Sequence, residues 1–267
     1  MTRSRISAHV AALTHPGAVR ELNEDAIAIN GCIGTGAMTT PVERLYETDT
    51  ALVCIVADGM GGHSAGDVAS TYAARRASNL LRRATAPGLI ERSLVQINEE
   101  LYARMNEDPE TRGMGTTVAG LVLTGEAVCF FNVGDSRVYR EQEGLLRQLS
   151  VDDSPASVVG SQSLTGPEGA SHVVTQALGG AARLTPVHPH VGSEARVAGR
   201  RYLVCSDGLS AAVGVEDMER SLEQDGVASV RALWQAAMSA GGEDNISIVL
   251  VTLIAQDDEP TRTAVKS

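Results

Sequence analysis

Residues 52–59 read Leu-Val-Cys-Ile-Val-Ala-Asp-Gly, and residues 202–208 read Tyr-Leu-Val-Cys-Ser-Asp-Gly. Each is a β-rich apolar run that stops on Asp-Gly, the pattern of a buried strand running into a turn. Working outward, the same character recurs at 6–13, 26–30, 117–123, 127–133, 137–140 and 246–254, and the 202–208 run extends back to 201. The run at 246–254 is apolar on both alternating faces, which predicts a strand covered on both sides. Helical spacing is confined to two blocks. In the first, 65–85 carries Val68, Tyr72 and Leu80 on a stripe; after Pro87, the residues Ile90, Leu94, Ile97, Leu101 and Met105 recur every three or four positions. The second block, 215–224 and 227–239, is split by Asp225-Gly226, a helix stop. Strands that follow one another without helices between them favour antiparallel sheets, with the helices on the outer faces. Segments 31–49 and 150–171 are predicted loops, and 256–267 is a polar, frayed tail.

Composition bounds the function. The 267 residues are 43% hydrophobic and 21% charged, a globular balance, and the better partition is one domain. A net charge of -11 with only 3% aromatics argues against nucleic acid and anionic membranes as partners. No apolar run approaches the ~20 residues that span a bilayer, and the N-terminus shows no secretory pattern. A cytoplasmic protein with no membrane partner is expected. Cys32, Cys54, Cys129 and Cys205 form no C-x-x-C pair, and three of them sit inside apolar runs as reduced, buried thiols.

The acidic residues fall at strand ends. Asp25 opens a strand, Asp58 and Asp207 each close one before glycine, Asp135 follows Phe-Phe-Asn-Val-Gly, and Asp244 precedes the last strand. Each taken alone is an ordinary turn residue. Together they can converge at one end of a sandwich, where like charges in a partly dry site need cations, and hard divalent ions take oxygen ligands of this kind. Spacing alone leaves both readings open. Arg20, close before Glu24 and Asp25, is either a surface arginine or a clamp that forks onto phosphate oxygens.

Seven segments in order carry a resemblance: Arg20-Glu-Leu-Asn-Glu-Asp25, Val56-Ala-Asp-Gly-Met-Gly-Gly-His63, Gly115-Thr-Thr117, Asn132-Val-Gly-Asp-Ser-Arg137, Thr175-Gln-Ala-Leu-Gly-Gly180, Cys205-Ser-Asp-Gly-Leu209 and Gly242-Glu-Asp-Asn245. The chain resembles a bacterial-type member of the metal-dependent (PPM) type-2C serine/threonine protein phosphatases. The resemblance implies an α+β fold, a four-layer α-β-β-α sandwich of two packed antiparallel sheets flanked by helices. It implies a catalytic domain over 1–255 with a short flap-like segment at 150–171 and a disordered tail at 256–267. It further implies two Mn²⁺ or Mg²⁺ ions. Asp25 and Asp58 would be the carboxylates around them, with Asp58 bridging. The Gly59 carbonyl would hold one ion, and Asp207 and Asp244 the other. Asp135 with Asp207 would form a third, weaker metal position. Glu24 would act through water and Arg20 would bind phosphate, while a hydroxide bridging the ions attacks phosphorus directly. Expected partners are proteins phosphorylated on serine or threonine in bacterial signalling, with a cognate kinase or its targets; the chain itself is expected to be a monomer.

The chain departs from the family pattern at three positions. Met60 stands where animal members carry a proton-donating histidine, with His63 close by. His15 takes the position of a family aspartate, which would alter water near the metals, and Ala211 replaces a frequent acidic residue. A competing pattern, Gly62-His-Ser-Ala-Gly66, fits the G-x-S-x-G elbow of serine hydrolases, but four residues separate it from the preceding strand and no oxyanion segment accompanies it. Ser64 reads better as a residue near a helix N-cap. Ser64→Ala is therefore expected to retain most hydrolysis of an aryl phosphate. Loss of turnover on that change would favour the hydrolase elbow.

Overall fold

Period-two burial builds the centre of the molecule, a computed structural model describing residues 6–47, 50–61, 65–84, 86–155 and 174–256. One antiparallel sheet has the order β11 (Leu145–Gln148), β10 (Arg137–Gln142), β14 (Arg201–Cys205), β15 (Ile246–Ala255), β1 (Ile6–His15), β4 (Val42–Glu47). The other runs β13 (His190–Ala195), β9 (Ala127–Val133), β8 (Val118–Leu123), β5 (Leu52–Ala57), β2 (Ala26–Ile29), β3 (Cys32–Gly34). A small third sheet, β12 (Leu178–Gly179), β7 (Gly115–Thr116) and β6 (Gly59–Met60), lies against the first helix block, next to Asp58.

Three apolar layers hold the sheets and helices together. Val10, Leu121, Tyr202 and Val251 are among the side chains that fill the space between the two large sheets. The outer face of the β5 sheet packs on α1 (Ala65–Leu81) and α2 (Pro87–Glu107) through Val53, Ile55, Ala73, Leu94 and Leu101. The outer face of the β15 sheet packs on α3 (Asp207–Ser210), α4 (Val215–Ser221) and α5 (Gly226–Ser239) through Leu13, Ile248, Leu209 and Leu233. The result is the helix–sheet–sheet–helix arrangement expected for the family. Strands β5 and β15 are buried on both faces because each lies inside a sheet and between two such layers.

Two expectations need correction. Segment 31–49 is not simply a loop: it holds the edge strands β3 and β4. Val42–Glu47 is exposed at almost every position, so it lacks the apolar alternation by which a strand is recognised; its order comes from pairing with β1. Asp207 does not merely close a strand but begins the one-turn helix α3. The expected flap-like segment from 156 to 171 and the tail from 257 onward lie outside the described residues.

A buried-edge ion pair ties α1 to α2. Arg76 forks onto Glu100, with Nε donating to Oε2 at 2.7 Å, and Tyr72 and Gln96 donate to the same carboxylate at 2.9 Å each. Arg76 holds the Glu100 carboxyl down at about 2, against an ordinary 4.5. Because the folded form binds its proton less readily, this contribution is present above the ordinary value and is lost as pH falls towards the folded one. Glu100→Gln should cost about 1–2 kcal/mol at neutral pH, given the partial exposure of the pair. Urea unfolding at pH 7 and pH 3 checks this: the difference between variant and wild type should shrink at the lower pH.

Candidate metal centre

Strand register brings the acidic residues to one end of the sandwich. β2 and β5 pair with Ala26 opposite Ala57, so Asp25, one residue before the first, and Asp58, one residue after the second, leave the sheet side by side. In the facing sheet, Cys205 lies opposite both Arg137 and Ile248, and His15 lies opposite Ile246. Asp135, Asp207 and Asp244 each lie two residues beyond one of these paired positions. An open cleft of about 410 Å³ at this end is lined by Arg20, Glu24, Asp58, Gly59, Asp135, Asp207 and Asp244, together with Met60. Asp25 lies beneath, 1% exposed.

Asp25 is held from the opposite sheet. Ser206 Oγ donates to its Oδ2 at 2.8 Å and itself accepts from the Ser247 amide at 2.9 Å. The other oxygen, Oδ1, is buried and has no hydrogen-bond donor among the described residues. Burial pushes the Asp25 carboxyl up to about 7, the Ser247 and Ser206 hydroxyls pull the other way, and the Asp207 and Asp244 charges add to the rise. Asp58 is pushed well above the usual carboxylate range, first by burial and then by Asp25 and Asp207, with which it shares a hydrogen bond. Asp135 rises to about 6 through burial and then Asp207. Glu24 is raised chiefly by burial, opposed by the Gly66 amide and Arg20.

Backbone contacts fix the loops that carry these groups. Asn245 Nδ2 donates to the carbonyls of Pro16 (3.1 Å) and Leu22 (2.9 Å), while its Oδ1 accepts from the Glu24 amide at 2.7 Å. One side chain thus pins the whole loop bearing Arg20. Thr116 and Thr117 donate to the Asp58 carbonyl at 2.9 Å and 2.8 Å, the first through its hydroxyl and the second through its amide. Gly59 has no room for a side chain: a Cβ there would meet the Gly66 carbonyl oxygen at 2.2 Å and that of Glu24 at 2.5 Å. Gly17, at φ +83°, is likewise pressed against the Asp244 carbonyl. Ser206, Asn245, Thr116 and Thr117 had no role assigned from sequence, although all four lie in the segments that carried the resemblance.

The donor set fits divalent cations. The anionic groups outnumber the cations here, and one buried oxygen has no donor among the described residues. Among the described residues no three acidic, histidine or cysteine side chains stand as a closed metal cluster. Two contacts engage the acidic groups: Asp58 bonds to Asp207, and Arg20 Nη2 donates to Asp244 Oδ2 at 2.8 Å. His15 turns elsewhere, accepting the Gly17 amide at 3.0 Å and packing 5.1 Å from Trp234, and burial lowers its pKa. His63 and Ser64 lie outside the described residues.

A pH dependence follows. The folded chain holds protons on Asp25 to about 7 and on Asp135 to about 6, against 3.8 for either in an ordinary setting. The unfolded chain releases them earlier, so chelated protein should lose stability as pH rises through that window. Thermal melts in EDTA should fall from about pH 4 to pH 7, and Mn²⁺ should raise the melting temperature most at the upper end. A flat profile, or no response to Mn²⁺, would contradict the clustering.

Comparison with known proteins completes the description. A family model described as Protein phosphatase 2C matches residues 44–251. The chain is 29% identical over 262 residues to the serine/threonine protein phosphatase PstP of Mycobacterium tuberculosis, covering 96% of this chain and 47% of that protein. It therefore spans about half the length of that curated relative. It is 32% identical over 260 residues to the serine/threonine phosphatase stp of Listeria monocytogenes, covering 91% of this chain and 95% of that one. The crystal structure of the catalytic domain of PstP in complex with two manganese ions superposes with a TM-score of 0.76 at 30% identity, covering 93% of this chain and 99% of that chain. With a family match over most of its length, a near full-length relative and a shared fold, the chain belongs to the protein phosphatase 2C family.

Proposed function

We propose that this protein is a metal-dependent serine/threonine protein phosphatase that hydrolyses phosphoserine and phosphothreonine by direct attack of water. The observation that carries the reading is the convergence of Asp25, Asp58, Asp135, Asp207 and Asp244 at the end of the sandwich where Arg20 overhangs the cleft. Asp25, Asp58, the Gly59 carbonyl, Asp207 and Asp244 would hold two Mn²⁺ or Mg²⁺ ions, and Asp135 with Asp207 a third. Bound there, such ions supply a water acidic enough to ionise near neutral pH and a positive field over the phosphoryl group. The relative crystallised with two manganese ions supports this choice of cation.

The chain's own groups divide the remaining work. Arg20 is just over half exposed, and its guanidinium can trade the Asp244 oxygen for two oxygens of a phosphate dianion. Glu24 lies in the cleft, where its carboxylate would accept from water and orient it. No thiol competes as nucleophile: Cys54 and Cys205 are buried with thiols pushed up to about 12, and exposed Cys32 belongs to edge strand β3 rather than to the cleft. Attack by water forms the new P–O bond as the seryl or threonyl oxygen leaves, so no phosphorylated enzyme is required.

The relatives' names support proteins phosphorylated on serine or threonine as substrates; a cognate serine/threonine kinase or its targets are the partners proposed with them. The protein is read as a cytoplasmic monomer; among the described residues no helix is long and apolar enough to cross a membrane. Residues 1–255 are read as one catalytic unit. Purified protein with Mn²⁺ should dephosphorylate a phosphothreonine peptide and stop on addition of EDTA. Asp207→Asn should lower kcat by at least about a hundredfold with the fold retained by circular dichroism. Activity indifferent to EDTA, or an Asp207→Asn enzyme as fast as wild type, would overturn the proposal.

A further inference from the structure

We infer that the open edge of the sandwich between β3 and β4 is a binding site for a small apolar molecule carrying one anionic group. These are the terminal strands of their respective sheets, and among the described residues no further strand closes the space between them. β4 pairs with β1 so that Val42, Arg44 and Tyr46 lie opposite Ala12, Val10 and Ala8. Those three β1 residues belong to the core between the sheets, and cross-strand partners share a face, so Arg44 is carried on the inward side of the edge strand. Glu43 also contributes to the rim of the space between the strands, where its carboxylate is held by His9 at 2.9 Å.

The facing strand leaves the space unfilled. β3 sets Cys32 opposite Ile29 and Gly34 opposite Ile27; a Cβ at Gly34 would meet the Ile27 side chain at 2.8 Å, so Cys32 is the position from which a larger residue would close the space. The outcome is a cavity of about 330 Å³ with Val10, Ile27 and Ile29 among its walls and Met38 from the β3–β4 connection beside them. Its size is at the lower end of the range for sites that take small organic ligands. The walls ask for a hydrocarbon or aromatic body. The charge at the mouth selects the head group. Arg44 lies 5.3 Å over the Tyr46 ring, and among the described residues no carboxylate forms an ion pair with it. With its face stacked, the guanidinium edge remains available to a carboxylate or sulfonate. The competing role for an inward charge, keeping an edge strand from pairing with another chain, creates no ligand site.

The test uses the intact chain and needs no turnover, so it stands apart from the phosphatase reading. The probes are anilinonaphthalene sulfonate and its uncharged analogue, phenylnaphthylamine. Cys32 is exposed whereas Cys54, Cys129 and Cys205 are buried, so modification by an aromatic disulfide reagent reports on this cavity. The sulfonate should bind saturably at one site and slow Cys32 modification over the same concentration range. Arg44→Gln should weaken the sulfonate about tenfold and leave the uncharged analogue unchanged, while Cys32→Trp, which fills the cavity, should lose both. Should Cys32→Trp fail to fold, the Arg44→Gln comparison and the Cys32 protection decide the matter alone. Binding that does not saturate, that ignores Arg44→Gln or that leaves Cys32 unprotected would overturn the proposal. So would shielding of Cys32 that grows with protein concentration, which would make the occupant a second copy of the chain.

Discussion

Carboxylates crowded into a site with too few counter-charges are the constraint around which this molecule is arranged. Asp25 is buried, Asp58 shares a hydrogen bond with Asp207, and Arg20 compensates Asp244 from the rim. Mutual repulsion in a poorly solvated place raises the proton affinity of each group. Such an arrangement survives only where the surrounding scaffold over-determines it. Here the scaffold does so through backbone contacts: Asn245 grips the loop from Pro16 to Glu24, and Thr116 and Thr117 hold the Asp58 carbonyl.

The double sandwich is what makes those contacts rigid. Asp25 and Asp58 flank strands of one sheet, Asp207 and Asp244 flank strands of the other, and Asp135 lies in the turn that joins β9 to β10, so the cluster exists only while the two sheets stay packed. The bond from Ser206 to Asp25 crosses that boundary inside the core. Apolar layers on both outer faces leave little freedom for either sheet to slide. A one-residue slip between β2 and β5 would turn Asp25 and Asp58 to opposite faces. The same packing is thinner at β3 and β4, where the space between the sheets is unsealed.

Much of this was legible from local pattern. The strands buried on both faces declared themselves as unbroken apolar runs, and α2 through its regular Ile and Leu spacing. The exposed strand β4 did not, because Val-Glu-Arg-Leu-Tyr-Glu has no apolar face to alternate and is a strand only by virtue of β1. His15 shows a different limit. Its position in the sequence pointed to the metal site, but its ring packs against Trp234, a residue more than two hundred positions away.

The sequence by itself determined the fold class, the family and the identity of the acidic residues, because strand termination on Asp-Gly and the order of seven segments are local, one-dimensional facts. Only the tertiary structure decided how those residues meet. Whether Asp25 has an orphaned oxygen, which serine reaches it and where Arg20 finds its partner depend on register between strands far apart in the chain. Electrostatic energy depends on distance and on exclusion of water, and neither is written in residue order.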